Sequence, residues 1–147
     1  MKDIKITFAG LKDEEAIKKL LSEALLPYYD ISDHINNFLL ASKDDVIVGV
    51  LGVEIHGKSA LLRSLAVIHS KQGEGIGKFL YEKMEIHASS KGIKELYLLT
   101  TTADLFFENL GFKKIARDEV ADAIKNTKEF KDICPVSAVC MVKEINK

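Results

Sequence analysis

The sequence lacks a disulfide framework, a membrane-spanning apolar run and an excess of either charge. Its 147 residues include only two cysteines, Cys134 and Cys140, which we expect to be thiols in a reducing compartment. No apolar run is long enough to cross a bilayer, and no apolar signal core follows Met1. We therefore expect a soluble, cytoplasmic protein with no membrane partner.

The charge balance and the histidine spacing argue against two further kinds of site. Lys plus Arg number 21 and Asp plus Glu number 22, and no basic stretch is interleaved with aromatic residues. We therefore expect no nucleic-acid partner. The four histidines are scattered without the spacing of metal ligands, so the sequence predicts no metal site. The length and the 47% apolar content favour a single domain over residues 1–147.

What the chain does contain is a regular succession of apolar patterns. Period-2 or continuous apolar runs predict strands over residues 4–8, 46–55, 61–67, 96–99, 112–116 and 137–145. Helical spacing predicts helices over 12–26, 75–91 and 104–110, a short helix or loop over 33–40, and a helical or irregular segment over 118–130.

The order of these elements predicts the fold class. The two strands that flank Gly57 form an antiparallel hairpin, and the strand, helix and strand that follow imply a right-handed parallel crossover. We therefore predict an α/β (α+β) fold: a mixed, mostly antiparallel sheet with a central parallel βαβ crossover and flanking helices.

A glycine-rich turn joins the predicted strand over 61–67 to the predicted helix over 75–91. Residues 72–77 read Gln-Gly-Glu-Gly-Ile-Gly. Because glycines have no side chain, several backbone N–H groups in front of the helix are left uncovered. Such a turn is suited to binding an anion. A P-loop is excluded, because Gln72 stands at its first glycine and Phe79 at its Ser or Thr. The glycine spacing also differs from that of the dinucleotide fingerprint.

The turn resembles the [Gln/Arg]-x-x-Gly-x-[Gly/Ala] signature of the GNAT superfamily of acyl-CoA-dependent N-acetyltransferases. A second segment is similar too, since Ala103, Phe107, Gly111 and Phe112 have the spacing of the family's Ala-x-x-x-Tyr-x-x-x-Gly-Phe segment. The resemblance extends from Ile4 to the C-terminus. It implies the GNAT fold, acetyl-CoA as co-substrate and direct acetyl transfer to an amine.

Longer stretches resemble a narrower branch of the superfamily. Residues 62–67, 98–103, 106–112 and 134–138 look like the acetyltransferases of arsenic-resistance operons, whose central part is similar to the acetyltransferase domain of N-acetylglutamate synthase. This likeness implies a small, amino-acid-like amine acceptor and a link to arsenic or toxin resistance. Protein N-terminal or lysine acetylation is the rival activity, and a degenerate CoA-binding sensor is the alternative outside enzymes. The sequence leaves the acceptor's identity and a homodimer open.

The resemblance assigns the donor site to two segments. The CoA pyrophosphate would be held by the backbone N–H groups of Gly73, Glu74, Gly75, Ile76, Gly77 and Lys78. Pantetheine and the acetyl oxygen would be held by the main chain of Leu65, Ala66 and Val67, whose side chains belong to the core. A main-chain donor to the acetyl oxygen typically contributes about 3 kcal/mol. Gln72 either donates to a phosphate or caps the turn, and the Lys78 side chain either pairs with a phosphate or is solvated.

Glu54 is the predicted general base for the acceptor's ammonium group, acting directly or through a water. It is the carboxylate in the otherwise apolar strand over 46–55, which precedes the strand over 61–67 that contains the predicted cofactor residues. The alternative is a place on the solvent face near the hairpin end. Arg63 either pairs with Glu54, clamps a substrate carboxylate or forms an exposed cross-strand salt bridge. His34, beside Asp33 and near Asn37, is a predicted acceptor contact, and Asp33 is equally a predicted helix cap.

The usual proton donor for the leaving thiolate is missing. Phe107 stands where many family members have a tyrosine, so water, Tyr97 or Tyr81 would protonate the thiolate. The N-acetylglutamate synthase resemblance also lacks that tyrosine, which implies that Phe107 does not by itself abolish activity. Cys134 and Cys140 permit a thiol nucleophile or capture of a soft ion, but small buried residues are the more common role of such cysteines.

Overall fold

A computed structural model of the chain describes residues 3–26, 28, 30–127, 130–131 and 138–146. Its strands are β1 (Lys5–Phe8), β2 (Phe38–Lys43), β3 (Val46–His56), β4 (Ser59–Val67), β5 (Glu95–Thr100), β6 (Lys113–Ile115) and β7 (Val139–Glu144). Its α-helices are α1 (Glu14–Glu23), α2 (Ile76–Ser90), α3 (Asp104–Asn109) and α4 (Asp122–Lys125). Short 3-10 turns cover Leu11–Asp13, Ile31–Asp33, Ile35–Asn37, His69–Lys71 and Arg117–Glu119.

The strands form one mixed sheet in the order β1-β2-β3-β4-β5-β7-β6. The pairs β1–β2, β2–β3, β5–β7 and β6–β7 are antiparallel. In contrast, Ser59, Ala60 and Leu61 of β4 pair in parallel with Glu95, Leu96 and Tyr97 of β5, and α2 lies between these two strands in the chain. The predicted mixed, mostly antiparallel sheet with a central parallel crossover is confirmed.

The chain divides into two compact units, Met1–Val53 with Arg63–Ile86 and Glu54–Leu62 with His87–Lys147. The first unit has an apolar core of Ala9, Ile17, Leu20, Leu21, Ile31, Ile35, Phe38, Leu40, Val50 and Ala66. The second has a core of Leu61, Tyr97, Val120, Ile124, Cys140 and Val142. The single domain expected over residues 1–147 stays a prediction.

Helix α1 is shorter than the helix predicted over 12–26. It buries the apolar stripe Ile17, Leu20 and Leu21. It ends at Glu23, because Leu25 adopts a left-handed backbone with a φ of 59° and is 92% exposed. The Leu26 N–H then bonds to the Leu21 carbonyl at 2.9 Å, which closes the helix C-terminus. No helix in the described part of the chain is long and apolar enough to span a bilayer.

Strand β2 contradicts the end of the short helix or loop predicted over 33–40, whereas residues 33–37 are short turns, as predicted. The 3-10 turns occupy Ile31–Asp33 and Ile35–Asn37, and β2 begins at Phe38 and pairs with both β1 and β3. Its buried residues are Phe38, Leu39, Leu40 and Ala41. A continuous apolar run of this kind is compatible with a strand covered on both faces and with a buried helical segment, so its periodicity alone does not separate them.

In the second unit, the apolar run of β5 is a buried strand, as predicted. β5 pairs with β7 from Glu95 and Glu144 to Thr100 and Val139, and the short β6 pairs with β7 as well. The helix predicted over 104–110 is confirmed as α3, and α4 accounts for part of the segment over 118–130. The start of the last predicted strand, at Ser137, lies outside the described residues, as does Cys134.

Candidate active site

The glycine-rich turn lies between the end of β4 and the start of α2, where the sequence places it. The 3-10 turn His69–Lys71 follows β4, and α2 begins at Ile76. Gly73 and Gly75 have φ values of 82° and 89°, which favour glycine because a Cβ would strain the backbone. The Phe79 N–H donates to the Gly75 carbonyl at 3.0 Å, so Gly75 provides the acceptor of the first helical turn.

The turn presents backbone donors to solvent while its apolar residue is anchored. Gln72, Gly73, Glu74 and Gly75 are exposed, whereas Ile76 is 1% exposed and holds the start of α2 against the core. The first N–H groups of an α-helix have no acceptor within the helix, and the helix dipole makes this end positive. The N–H groups of the exposed Gly73, Glu74 and Gly75 fit a diphosphate by their chemistry and their accessibility.

Gln72 and Lys78 differ in how the turn uses them. The Gln72 side-chain amide donates to the Val67 carbonyl at 3.1 Å, which ties the turn to the end of β4. This matches the turn-stabilising alternative for Gln72, and a contact with phosphate stays a prediction. The Lys78 side chain is exposed on the first turn of α2, where it is accessible to a bound anion.

Gly49 is a positioning residue that sequence reasoning missed. A Cβ built at Gly49 in β3 would lie 3.2 Å from Leu80 Cδ1 and 3.3 Å from both the Ala66 carbonyl oxygen and Ile76 Cγ2. The absence of a side chain therefore lets the first turns of α2 lie close to β3. A glycine inside an apolar strand is a signal for such a close approach, and Val48-Gly49-Val50 carries it.

β4 is irregular immediately before the residues that are predicted to hold the cofactor. Ser64 has a φ of 61°, a left-handed conformation inside a strand, and its Oγ accepts a hydrogen bond from Arg63 Nε at 3.1 Å. Beyond Ser64, Ala66 is 5% exposed and belongs to the first unit's core, while Leu65 and Val67 are half-buried. The predicted core role is confirmed for the Ala66 side chain.

Arg63 is buried and paired with an aspartate that the sequence did not indicate. Its Nη1 donates to Asp30 Oδ2 at 2.8 Å, and its Nη2 donates to Asp30 Oδ1 at 2.6 Å. Arg63 is 4% exposed and Asp30 is 7% exposed. The alternative of an exposed cross-strand salt bridge is therefore wrong. Two parallel hydrogen bonds of this kind fix the orientation of the guanidinium plane.

The ionisation of Asp30 follows from its partners. Burial alone would raise the pKa of the Asp30 carboxyl, but the hydrogen bonds and charge of Arg63 outweigh it and hold this pKa below its usual value. The nearby His34 contributes in the same direction. The first unit thus brings Arg63, Asp30 and the half-buried His34 together. The capping alternative for Asp33 is wrong, because His34 is the N-cap of the turn Ile35–Asn37.

Glu54, in the second unit, is buried on β3. It is 2% exposed, so the alternative of a place on the solvent face is wrong. Its Oε1 lies 3.2 Å from Nε2 of His56, whose side chain is 30% exposed. A buried carboxylate beside a half-exposed imidazole is suited to proton transfer, and the catalytic role of Glu54 stays a prediction.

The tyrosines proposed as alternative acids are weaker proton donors than an ordinary tyrosine. Burial, followed by the neighbouring Glu85, raises the pKa of Tyr81, whose hydroxyl donates to Glu85 Oε1 at 2.6 Å. Burial and Glu95 likewise raise the pKa of Tyr97, which donates to Glu95 Oε2 at 3.2 Å. Phe107 is 5% exposed.

Cys140 has the environment of a structural cysteine. It is 4% exposed on β7, and burial raises the pKa of its thiol, although the charge of Arg117 opposes this shift. A thiolate nucleophile is disfavoured there. The predicted role of a small buried residue is confirmed for Cys140.

Comparison with known sequences decides the family. The acetyltransferase (GNAT) domain model matches residues 34–114, more than half of the chain. The chain belongs to the GNAT family of acetyltransferases. The matched region of this GNAT chain contains Glu54, Arg63, the glycine-rich turn and Phe107.

Two curated relatives of this GNAT chain have similar identities. The uncharacterized N-acetyltransferase CT2212 of Chlorobaculum tepidum is 33% identical over 90 residues, which cover 60% of this chain and 57% of the relative. The uncharacterized protein YwlB of Bacillus subtilis is 32% identical over 108 residues, which cover 70% of this chain and 72% of the relative.

Solved structures share the fold at low sequence identity. N-acetylglutamate synthase from Neisseria gonorrhoeae, complexed with coenzyme A and L-arginine, has a TM-score of 0.84 at 21% identity. That similarity covers 98% of this chain but 34% of the synthase chain, so this chain spans about a third of the synthase. Rv2747 from Mycobacterium tuberculosis, in complex with CoA and NLQ, has a TM-score of 0.80 at 19% identity, covering 95% of this chain and 98% of that one.

Proposed function

We propose that this GNAT chain transfers the acetyl group of acetyl-CoA directly to the amine of a small, amino-acid-like acceptor. The observation that carries the proposal is the solvent-facing turn before α2, in which Gly73 and Gly75 adopt glycine-favouring backbone conformations within the family-matched region. Structural neighbours that are complexed with CoA support the choice of donor.

The turn and the cofactor strand have separate roles in holding the donor. The N–H groups of the turn and of the first residues of α2 bind the pyrophosphate, and Gln72 stabilises the turn through Val67. The main chain of β4 after Ser64 binds pantetheine and donates to the acetyl oxygen. The left-handed Ser64 supports this role, because it changes the backbone direction immediately before Leu65, Ala66 and Val67.

Glu54 acts as the general base. Its carboxylate accepts one proton from the acceptor's ammonium group, and the neutral amine attacks the thioester carbonyl carbon. A C–N bond forms and the C–S bond breaks. The nitrogen's second proton passes through water to the departing thiolate of CoA, which leaves as the free thiol. Phe107 has no proton to donate, and Tyr81 and Tyr97 have raised pKa values and neighbouring carboxylates.

Arg63 and His34 are proposed to recognise the acceptor. A substrate carboxylate that binds Arg63 has to share or displace Asp30, because Asp30 accepts from both terminal nitrogens of the guanidinium group. His34 lies close enough to Asp30 to affect its ionisation. An acceptor that carries both a carboxylate and an ammonium group complements the opposite charges of Arg63 and Asp30. The link to arsenic or toxin resistance is supported by the sequence resemblance alone.

A CoA-binding sensor is the second candidate, and Phe107 is the observation that favours it. The proposed function is tested by release of free thiol from acetyl-CoA with pooled amino acids and amine toxins, alongside equilibrium binding of CoA. We expect release that depends on one of the pools. Tight CoA binding without release in any pool would support the sensor, and release with protein N-termini or lysines alone would support protein acetylation.

A further inference from the structure

The Glu54–His56 pair has an asymmetric exposure. Both residues lie on β3, and because side chains two positions apart share one face of a strand, they point the same way. The Glu54 side chain is 3% exposed, whereas that of His56 is 30% exposed, and the two meet at 3.2 Å between Oε1 and Nε2. His56 therefore links a buried carboxylate to the surface.

The reaction leaves one proton that has to reach solvent. An ammonium acceptor loses two protons when its nitrogen becomes an amide, and the CoA thiolate takes up only one of them. The other resides on the base and has to leave before the next turnover. For a buried carboxylate, the partner that contacts both the carboxylate and water is suited to carrying this proton.

We propose that His56 transfers the acceptor's proton from Glu54 to solvent, an inference that rests on the proposed function. A neutral His56 with its proton on Nδ1 accepts at Nε2 from the protonated Glu54 and then releases the Nδ1 proton to water. Imidazole suits this exchange because it gains and loses protons near neutral pH. The ring is then protonated on Nε2, and tautomer exchange with water restores the Nδ1-protonated form. No reactant other than water is needed, and both side chains regain their starting protonation before the next turnover.

A purely structural role for His56 is the competing explanation, and the choice of variants separates the two. His56→Gln keeps a hydrogen-bond donor beside Glu54 but does not exchange protons. His56→Ala removes the side chain and leaves space at a half-exposed position for free imidazole. His87→Gln is the matched control, because His87 lies at the other end of α2 from the glycine-rich turn and has no part in the proposed chemistry.

Steady-state rates at one fixed neutral pH, measured over a range of acetyl-CoA concentrations up to saturation, test the proposal, because His56 acts between one turnover and the next. We expect His56→Gln and His56→Ala to lower kcat about tenfold or more with the KM for acetyl-CoA unchanged, and His87→Gln to match the wild type. Added imidazole should restore the rate of His56→Ala in proportion to its free-base concentration and should leave His56→Gln and Glu54→Gln slow.

Each outcome either supports or contradicts this transfer of the proton from Glu54 through His56 to solvent, which we call the relay. A wild-type rate in His56→Gln, or a slow His56→Ala that imidazole does not restore, overturns the relay. If Glu54→Gln is then still inactive, the proposed function stands without it. A wild-type rate in Glu54→Gln overturns both the general base and the proton transfer through His56. If the wild type itself transfers no acetyl group, the proposed function is overturned.

Discussion

Arg63 holds Asp30 through two buried hydrogen bonds of 2.6 and 2.8 Å. The pair connects β4, just before its proposed cofactor residues, to the segment between α1 and β2, which contains the proposed acceptor contact His34. Arg63 also donates to the left-handed Ser64 through Nε. One guanidinium group thus fixes the irregular part of β4 and the start of the 3-10 turn Ile31–Asp33 together.

Removing one member of this pair should destabilise the protein strongly. We expect Asp30→Ala to lower the free energy of unfolding by about 3–5 kcal/mol, because the buried Arg63 charge loses both hydrogen bonds to the Asp30 carboxylate. The double variant Asp30→Leu with Arg63→Met should lose less than Asp30→Ala, since neither charge of this pair then stays buried. Urea unfolding at neutral pH measures both, and a loss below about 1 kcal/mol in Asp30→Ala would contradict the buried pair.

The same pair makes stability depend on pH in the acid range. The pKa of Asp30 is held below its ordinary value of 3.8, so its contribution is fully present above the pKa of the unfolded chain. This contribution is lost as the pH falls through the lower, folded-state pKa. We expect the difference in unfolding free energy between wild type and Asp30→Asn to shrink as the pH is lowered from 6 toward 2. A difference that stays constant over this range would contradict the assignment.

Gly73 should matter for acetyl-CoA binding more than its strain alone explains. Gly73→Ala places a Cβ at a φ of 82°, and relief of a strain of about 1–2 kcal/mol should move the N–H groups of the turn. We expect the KM for acetyl-CoA to rise about tenfold, which corresponds to about 1.4 kcal/mol.

The matched control for this substitution is Gly57→Ala, in the turn between β3 and β4. Gly57 also has a positive φ, 67°, and nothing lies within 4 Å of an added Cβ at either glycine. The Gly57→Ala variant should be less stable than the wild type, with an unchanged KM for acetyl-CoA. Equal KM values in the two variants would argue that the turn at Gly73 does not bind the donor.

Gly49 should also affect acetyl-CoA binding, through the position of the start of α2. A Cβ in Gly49→Ala meets Leu80, Ile76 and the Ala66 carbonyl at 3.2–3.3 Å, so the start of α2 has to move by a few tenths of an ångström. We expect a loss of about 1–3 kcal/mol in stability and a higher KM for acetyl-CoA. Gly10→Ala, where an added Cβ meets nothing within 4 Å, is the control. Thermal melts and steady-state kinetics of the two variants make the comparison.

Local patterns were sufficient to predict the elements that are proposed to position the donor. The glycine-rich turn, α2 and the parallel strands on either side carry their signals in short stretches of chain, so their order was predictable. β2 was not, because its apolar run beginning at Phe38 has no clear period. The early end of α1 depends on the left-handed conformation of Leu25, a residue with no strong preference for it.

The acceptor side was less predictable because its contacts are not local. Arg63 stood out in the sequence as a cation in an apolar strand, but Asp30, its partner, is 33 positions away and has no motif of its own. The contact of Glu54 with His56 was within reach, since two polar residues alternate at the end of an apolar strand. Of the two, the sequence singled out Glu54 alone, and it did not establish the contact with His56 or the contrast in exposure.

Direct transfer to an acceptor amine is the central claim, and a labelling experiment tests it most directly. The protein would be incubated with acetyl-CoA labelled in the acetyl group and with the acceptor pool that releases thiol, and both protein and products would be analysed by mass spectrometry over a single turnover. The account predicts label on the acceptor nitrogen, equal to the thiol released, with no acetylated protein preceding it. Label that appears first on the protein, or thiol release without an N-acetylated product, would contradict it.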